Sequence, residues 1–162
     1  MNLKMSHPDM QIIALAVWHA ARREPEVSRR AIAWCIRNRM ASHAGSEAEC
    51  AGRICGQLLQ EVAGVVDRSA PKEICFDNPD YCRAFATSCL VWCDDLADPT
   101  DGANIFHRHD AMPAWAAAMQ PAALLGSYFF YRAPPPPRLA SSSPARLPRI
   151  FPPNELPERA GA

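Results

Sequence analysis

Proline placement sets the limits of the folded part of this chain. Nine of the sixteen prolines lie after residue 132, beginning with the run Pro134–Pro137, and serine and arginine are interspersed among them. Proline fixes φ and lacks an N–H, so this composition is typical of an extended segment rather than of packed helices or strands. We therefore predict one domain over residues 1–132 and an extended tail over residues 133–162 that binds a protein partner.

Four helical patterns precede the tail, each with apolar residues at intervals of three and four. The first starts at Asp9, taken as its cap, and ends before Pro25, and the second starts at Ser28, also taken as a cap, and ends near residues 42–49. A third pattern covers residues 54–66. The fourth is predicted to end by Ala97, with an apolar face made of Phe85, Ala86, Cys89, Leu90, Cys93 and Leu96.

The remaining signals are turns and short strands. Residues 98–102, Asp-Pro-Thr-Asp-Gly, form a dense turn signal, after which residues 103–107 are short enough to be a strand. Residues 113–119 are typical of a brief helix, and the aromatic run of residues 128–131 is typical of a strand. The predicted fold class is α+β, a mainly helical domain with a small β-sheet.

Charge and hydropathy exclude several kinds of partner. Lysine plus arginine equals aspartate plus glutamate, 17 against 17, so no net field favours nucleic acid. No apolar stretch approaches the roughly 20 residues that a membrane-spanning helix needs. The N-terminus shows no clear signal-peptide pattern, so we expect a protein made in the cytoplasm.

Thiol and imidazole groups leave a metal hypothesis open. The chain has seven cysteines but no Cys-x-x-Cys pair, so core packing is favoured over a metal or redox site. The cysteines that could supply metal ligands are Cys50, Cys55, Cys75, Cys82, Cys89 and Cys93. His107, His109 and Asp110 are the other candidate ligands, and without a third nearby ligand they are more typical of polar surface. We predict no metal and no cofactor.

Five segments, in order, resemble the SleB-like cell wall hydrolase family of spore-cortex-lytic and related bacterial and phage proteins. Residues 17–25 are similar to the family's aromatic-x-Glu-Ala-Arg-Gly-Glu-Pro stretch. Residues 31–40 end in Asn38-Arg39 like its Leu-Asn-Arg-Val, and residues 54–56 are similar to its Ile-Cys-Gly. Residues 98–106 match its Asp-Pro-Thr-x-Gly-Ala-x-x-Phe, and Pro113-x-Trp115 with residues 126–132 complete the series. The resemblance spans residues 12–132.

The resemblance implies a lysozyme-like fold that cleaves the glycan strand of peptidoglycan, with one helix-borne glutamate as the acid. A carboxyl held against apolar walls keeps its proton and can donate it to the leaving glycosidic oxygen. The corresponding position here is Ala20, which cannot transfer a proton. Glu24 aligns with the family's second glutamate and is the candidate catalytic acid, although a solvated charge beside Arg22 and Arg23 is the more ordinary interpretation.

Further departures and candidate contacts follow from the same resemblance. The family's Gly-Asn-His is Gly126-Ser127-Tyr128 here, and its Gln-Phe-Ser after Ile-Cys-Gly has no counterpart among residues 61–66. The Asp98-Pro99-Thr100 turn could touch substrate or simply join a helix to a strand. The predicted substrate-binding residues, whose aromatic members could equally be core, are Arg22, His107, Trp115, Tyr128 and Tyr131.

Two functional hypotheses remain. The first is a peptidoglycan-glycan hydrolase or lytic transglycosylase of phage or virion origin, which reaches the cell wall by a route other than a signal peptide. The second is a catalytically inactive descendant, a pseudoenzyme that serves as a binding or structural component of a larger assembly such as a phage tail or baseplate. Ala20 and Tyr128 favour the second hypothesis, and whether the chain is an enzyme stays open at this point.

Overall fold

The computed structural model describes residues 7–42, 53–57 and 76–134. The helices with defined bounds are α1 (His7–Ala21), α2 (Glu26–Ala41) and α3 (Pro79–Trp92). Residues 53–57 are also helical. The strands are β1 (Ile105–Arg108), β2 (Ala123–Leu125) and β3 (Tyr128–Tyr131), with a 3-10 turn at Ala116–Ala118. The predicted α+β class, mainly helical with a small sheet, is confirmed.

Two of the predicted helix starts were wrong. Helix α1 begins at His7, so Asp9 lies in its first turn rather than capping it. Helix α2 begins at Glu26 after Pro25, whose φ of −62° and ψ of 160° suit a residue that precedes a helix. Ser28 therefore lies inside the first turn of α2, where it is fully buried. The predicted end of α2 near residue 42 is confirmed, because the helix stops at Ala41.

Helix α3 ends at Trp92, before the predicted limit, but its buried face differs from the predicted one. The Asn78 side chain caps it by accepting hydrogen bonds from the N–H groups of Asp80 and Tyr81 at 2.9 and 3.2 Å. Phe85 and Cys89 are only partly buried, while Leu90 and Cys93 are exposed. The buried positions are Tyr81, Ala84, Thr87, Ser88, Val91 and Trp92.

Hydroxyl groups explain why the apolar face of α3 was misplaced. Thr87 Oγ1 donates to Glu26 Oε1 at 2.9 Å, and Ser88 Oγ donates to the carbonyl of Ala84 at 2.8 Å. A satisfied hydroxyl tolerates burial, so both polar residues face the core. A pattern that counts only apolar residues cannot recognise this.

The sheet is antiparallel with strand order β1-β3-β2. Strand β3 covers the predicted residues 128–131, whereas β1 begins two residues later than predicted. Strand β2 was not predicted, because three residues are too few for an alternating pattern to emerge. The helix predicted over residues 113–119 is a single 3-10 turn.

The core lies between the helices and one face of the sheet. Helix α1 packs against α2 and α3, and α2 contacts β1 and β2. Phe106, Tyr128 and Phe130 form the inner, helix-facing side of the sheet, with ring centroids of Phe106 and Tyr128 5.5 Å apart. Because side chains alternate along a strand, His107, Phe129 and Tyr131 lie on the outer side.

Two predictions extend outside the described residues. The third helical pattern is seen only over residues 53–57, and the tail after residue 134 and the domain boundary stay predictions. Among the helices of the described ranges, none combines the length and apolar character that crossing a membrane requires.

Candidate functional site

The α1–α2 corner, residues 22–25, brings the candidate acid against the turn between β2 and β3. The Glu24 N–H donates to the carbonyl of Ala21 at 3.0 Å, which closes the chain tightly after α1. The half-buried Glu24 side chain then reaches the β2–β3 turn, where its Oε2 accepts a hydrogen bond from the Ser127 N–H at 3.0 Å. In this structure the Glu24 carboxylate therefore serves as a clasp between two distant parts of the sequence.

Gly126 makes this close approach possible. Its φ is +57°, a conformation that residues with a side chain rarely adopt. A Cβ at this position would also overlap Glu24 Oε2 and Ser28 Oγ. Both the positive φ at residue 126 and the close contacts to Glu24 and Ser28 therefore require glycine at this position.

Position 20, where the resemblance places an acid, is part of the core. Ala20 is 7% exposed, and its carbonyl accepts a hydrogen bond from the Tyr128 hydroxyl at 2.7 Å. Burial raises the pKa of Tyr128 to about 12, opposed by the positive charge of Arg108 and reinforced by Glu24. Tyr128 therefore remains a neutral donor at ordinary pH and holds β3 against the end of α1.

Arg22 lies at the end of α1, where its guanidinium carbon is 6.0 Å from the centroid of the Trp18 ring. At that distance the charge can still be attracted to the ring, so Arg22 has a structural contact of its own. Glu24, Arg22 and Tyr128 are thus all found near the junction of α1 with the sheet.

The other three predicted contact residues cluster on the outer side of the sheet. His107 is buried, its Nε2 lies 2.9 Å from the Tyr131 hydroxyl, and its Nδ1 lies 2.7 Å from the carbonyl of Arg108. Trp115 is 41% exposed and packs edge-on against both His107 and Tyr131, with centroids 5.5 and 5.3 Å apart. The predicted substrate-binding residues therefore form two groups on opposite sides of the sheet.

The Asp98 turn, residues 98–102, is held together by its own hydrogen bonds. Asp98 accepts from the N–H and hydroxyl of Thr100 at 2.8 and 2.6 Å, from Gly102 N–H at 3.0 Å and from Asn38 Nδ2 at 2.9 Å. Burial would raise the pKa of Asp98, but these hydrogen bonds outweigh it and lower the pKa below the usual value. This geometry supports the structural interpretation of the turn.

The thiols show no arrangement typical of a metal site where the structure describes them. Cys55 is fully buried, and burial raises the pKa of its thiol to about 12, with a smaller opposing effect of Arg39 and a further increase from Asp9. Burial, followed by the nearby Cys93, also raises the pKa of Cys89. Within the described ranges no group of three or more His, Cys, Asp or Glu could hold a metal. Cys50 and Cys75 lie outside those ranges.

Comparison with solved structures gives two neighbours. The catalytic domain of the Bacillus cereus SleB protein superimposes with a TM-score of 0.57 and 24% identity, covering 78% of this chain and 91% of that domain. The fold is that of a SleB catalytic domain. The catalytic domain of the germination-specific lytic transglycosylase SleB from Bacillus anthracis gives a TM-score of 0.55 and 23% identity, covering 80% of this chain and 98% of that domain. No protein-family model and no curated protein matches.

Sequence reasoning missed two residues that shape the α1–α2 corner. Ser28 was interpreted only as a helix cap, and Gly126 was noted only as part of a motif difference. A glycine followed by serine between two apolar runs is a turn signal that could have identified Gly126. No local signal points to Ser28, because its environment is created by a turn almost one hundred residues away.

Proposed function

We propose that this chain binds the glycan strand of peptidoglycan through its SleB-like fold without cleaving it. The observation that carries this proposal is the buried methyl group of Ala20 at the position of the expected acid. General acid catalysis needs a group that can give up a proton within reach of the leaving oxygen, and alanine has none. The Bacillus anthracis neighbour is a lytic transglycosylase, which supports a glycan ligand for the same fold.

Exposed aromatic surface supports binding in particular. Trp115 presents 41% of its surface on the outer side of the sheet, held edge-on by His107 and Tyr131. An aromatic ring that is fixed by its neighbours can stack on the apolar face of a sugar without losing much side-chain freedom. Arg22, at the end of α1, is the other proposed contact, whereas Tyr128 is buried with its hydroxyl bonded to the Ala20 carbonyl and has a structural role.

Cleavage by hydrolysis or lytic transglycosylation is the second candidate. Glu24 favours it, because this half-buried carboxylate lies four residues after position 20, although α1 ends at Ala21 and Glu24 belongs to the corner that follows rather than to the helix. As the acid, Glu24 would have to direct its carboxyl at the leaving oxygen rather than at the Ser127 N–H, from which its Oε2 accepts a hydrogen bond.

A glycan-binding protein of this kind can act as a component of a larger particle. We propose that the proline-rich residues 133–162 attach the domain to a protein partner, as in a phage tail or baseplate, and so bring it to the cell wall. Extended proline-rich segments pack into aromatic grooves of partner proteins at a low entropic cost. Stoichiometric recovery of the chain with purified particles, lost when the tail is replaced, is the expected result.

Digestion and sedimentation with purified peptidoglycan separate the two candidates. The samples are the native chain, Glu24→Gln, Ala20→Glu and, as a matched control, the exposed Asp95→Asn. Glutamine keeps an oxygen that can accept the Ser127 hydrogen bond, so Glu24→Gln removes the acid without removing the clasp. Binding is measured by co-sedimentation, and cleavage by mass analysis of released fragments.

The proposal predicts that the native chain and Glu24→Gln co-sediment with peptidoglycan and release nothing. Fragments released by the native chain and by Asp95→Asn, but not by Glu24→Gln, would establish Glu24 as the acid. Absence of co-sedimentation would contradict the glycan proposal. Ala20→Glu requires a parallel melting curve, because a carboxylate in a position that is 7% exposed costs several kcal/mol, on the order expected for a buried charge.

A further inference from the structure

Two hydrogen-bond donors border the space that the Glu24 carboxylate fills. The Ser127 N–H donates to Glu24 Oε2 at 3.0 Å. The Ser28 hydroxyl is fully buried, has no hydrogen-bond partner among the described residues, and lies with Glu24 Oε2 around the position that a Gly126 Cβ would occupy. A buried hydroxyl without a partner is unfavourable, so this corner offers a donor that Glu24 leaves unused.

We propose that Ser28, Gly126 and Ser127 form a carboxylate-binding subsite, and that the side chain of Glu24 occupies it when no ligand is bound. A backbone N–H and a hydroxyl are donors that suit the two oxygens of one carboxylate. A Cβ at position 126 would overlap the Glu24 carboxylate and the Ser28 hydroxyl, so glycine at this position allows a carboxylate to lie beside these donors. A ligand carboxylate that is not tied to the α1–α2 corner can approach both donors, whereas Glu24 contacts one of them.

The natural ligand would be a carboxylate of peptidoglycan, whose peptide substituents end in such groups, and this identification alone rests on the proposed function. Glu24 competes with it from within the chain. A tethered group acts at a high effective concentration, so a soluble carboxylate binds the native protein weakly. Removal of the Glu24 side chain should therefore open the subsite to small carboxylates.

The test is rescue of Glu24→Ala by acetate in thermal unfolding. The full chain carrying Glu24→Ala should melt below the native chain because Ser127 N–H loses its acceptor. Sodium acetate should raise that melting temperature by several degrees with a saturable dependence, as expected for a ligand that binds only the folded state. Sodium chloride at matched ionic strength should not. The native chain and Glu24→Gln should respond equally to the two salts, because their subsite is filled.

Two more samples define the ligand and the donors. Acetamide has the shape of acetate without its charge, and we expect it to be at least five-fold less effective. Equal rescue by acetamide would overturn the carboxylate assignment. Adding Ser28→Ala to Glu24→Ala should weaken acetate rescue at least five-fold, and unchanged rescue would overturn the role of Ser28.

The outcome remains informative if Glu24→Ala is unfolded in plain buffer. Circular dichroism should then show recovery of helix as acetate is added, and not as chloride is added. Identical responses to acetate and chloride, in either measurement, would overturn the subsite. If acetate rescues Glu24→Ala but the native protein does not sediment with peptidoglycan, the carboxylate-binding subsite stands and the glycan-binding proposal is rejected.

Discussion

The Asp98 turn and the α1–α2 corner both lie in segments that resemble the SleB-like family, and they differ in what their carboxylates do. Asp98 accepts four hydrogen bonds from groups within its own turn and from Asn38 of α2. Among residues 7–42, 53–57 and 76–134, Glu24 accepts from one N–H, on the β2–β3 turn, and the neighbouring Ser28 hydroxyl has no partner. The hydrogen-bonding capacity of the Asp98 carboxylate is satisfied within the protein, so the turn has a structural role. The α1–α2 corner keeps a hydrogen-bond donor, the Ser28 hydroxyl, that can bind a ligand. Motif similarity alone does not separate these two roles.

The largest expected effect on the free energy of unfolding is at the Asp98 turn. Asp98→Ala removes four accepted hydrogen bonds and should lower the free energy of unfolding by about 3 to 4 kcal/mol. Denaturant unfolding measures the change. Asp110→Ala, which removes an exposed ion pair to Arg108, is the matched control and should cost less than about 1 kcal/mol. Equal losses of stability in the two variants would show that Asp98 contributes no more than a surface carboxylate.

The same residue should show a defined pH dependence. Hydrogen bonds lower the pKa of Asp98 in the folded state, so its contribution to stability is present above the unfolded pKa and is lost as the pH falls below it. The stability difference between the native chain and Asp98→Asn should therefore shrink below about pH 4. A difference that stays constant down to pH 2 would show that the pKa of Asp98 is not lowered in the folded protein.

Glycine substitutions compare the turn and the corner directly. Gly126→Ala should cost about 2 to 3 kcal/mol, because the new Cβ would overlap Glu24 and Ser28 and the backbone has positive φ. Gly102→Ala, at φ +83° but with Arg132 no nearer than 3.7 Å, should cost only about 1 kcal/mol. Thermal unfolding of both variants tests the order. A larger loss of stability for Gly102→Ala would mean that Glu24 and Ser28 can move away from a Cβ at position 126.

Tyr128→Phe tests the connection between β3 and α1. Loss of the hydrogen bond to the Ala20 carbonyl should cost about 1 kcal/mol at pH 8. The folded-state pKa of Tyr128 is raised, so its neutral form stabilises the fold below the unfolded pKa of about 10, and this contribution is lost as the pH rises toward 12. The native chain should therefore lose more stability than Tyr128→Phe between pH 10 and 12, as measured by denaturant midpoints.

The smallest effect is expected for Ser28→Ala. The variant removes a buried hydroxyl that has no partner in the structure, so the free energy of unfolding should change by less than about 0.5 kcal/mol or rise slightly. Ser88→Ala is the contrasting control, since Ser88 donates to the Ala84 carbonyl within α3. A loss above 1 kcal/mol for Ser28→Ala would indicate a bound partner at the corner.

Much of the secondary structure was predictable, because it depends on local chemistry. The strand at residues 128–131 follows from four consecutive aromatic residues, and the end of α2 near residue 42 follows from the polar segment after it. The buried face of α3 was not predictable from apolar residues, since Thr87 and Ser88 are buried by partners that the sequence pattern does not show.

The candidate site also combines features that the sequence predicts with features that depend on tertiary contacts. The sequence by itself determined that position 20 is alanine, that a carboxylate follows at position 24, and that aromatic residues supply the small sheet. Only the tertiary structure decided that Glu24 meets Ser127 across about one hundred residues, that Ser28 is buried beside Gly126, and that His107, Trp115 and Tyr131 lie on the side of the sheet opposite Tyr128. The physical reason is that side-chain chemistry is local, whereas burial and hydrogen-bond partners depend on how distant segments pack together.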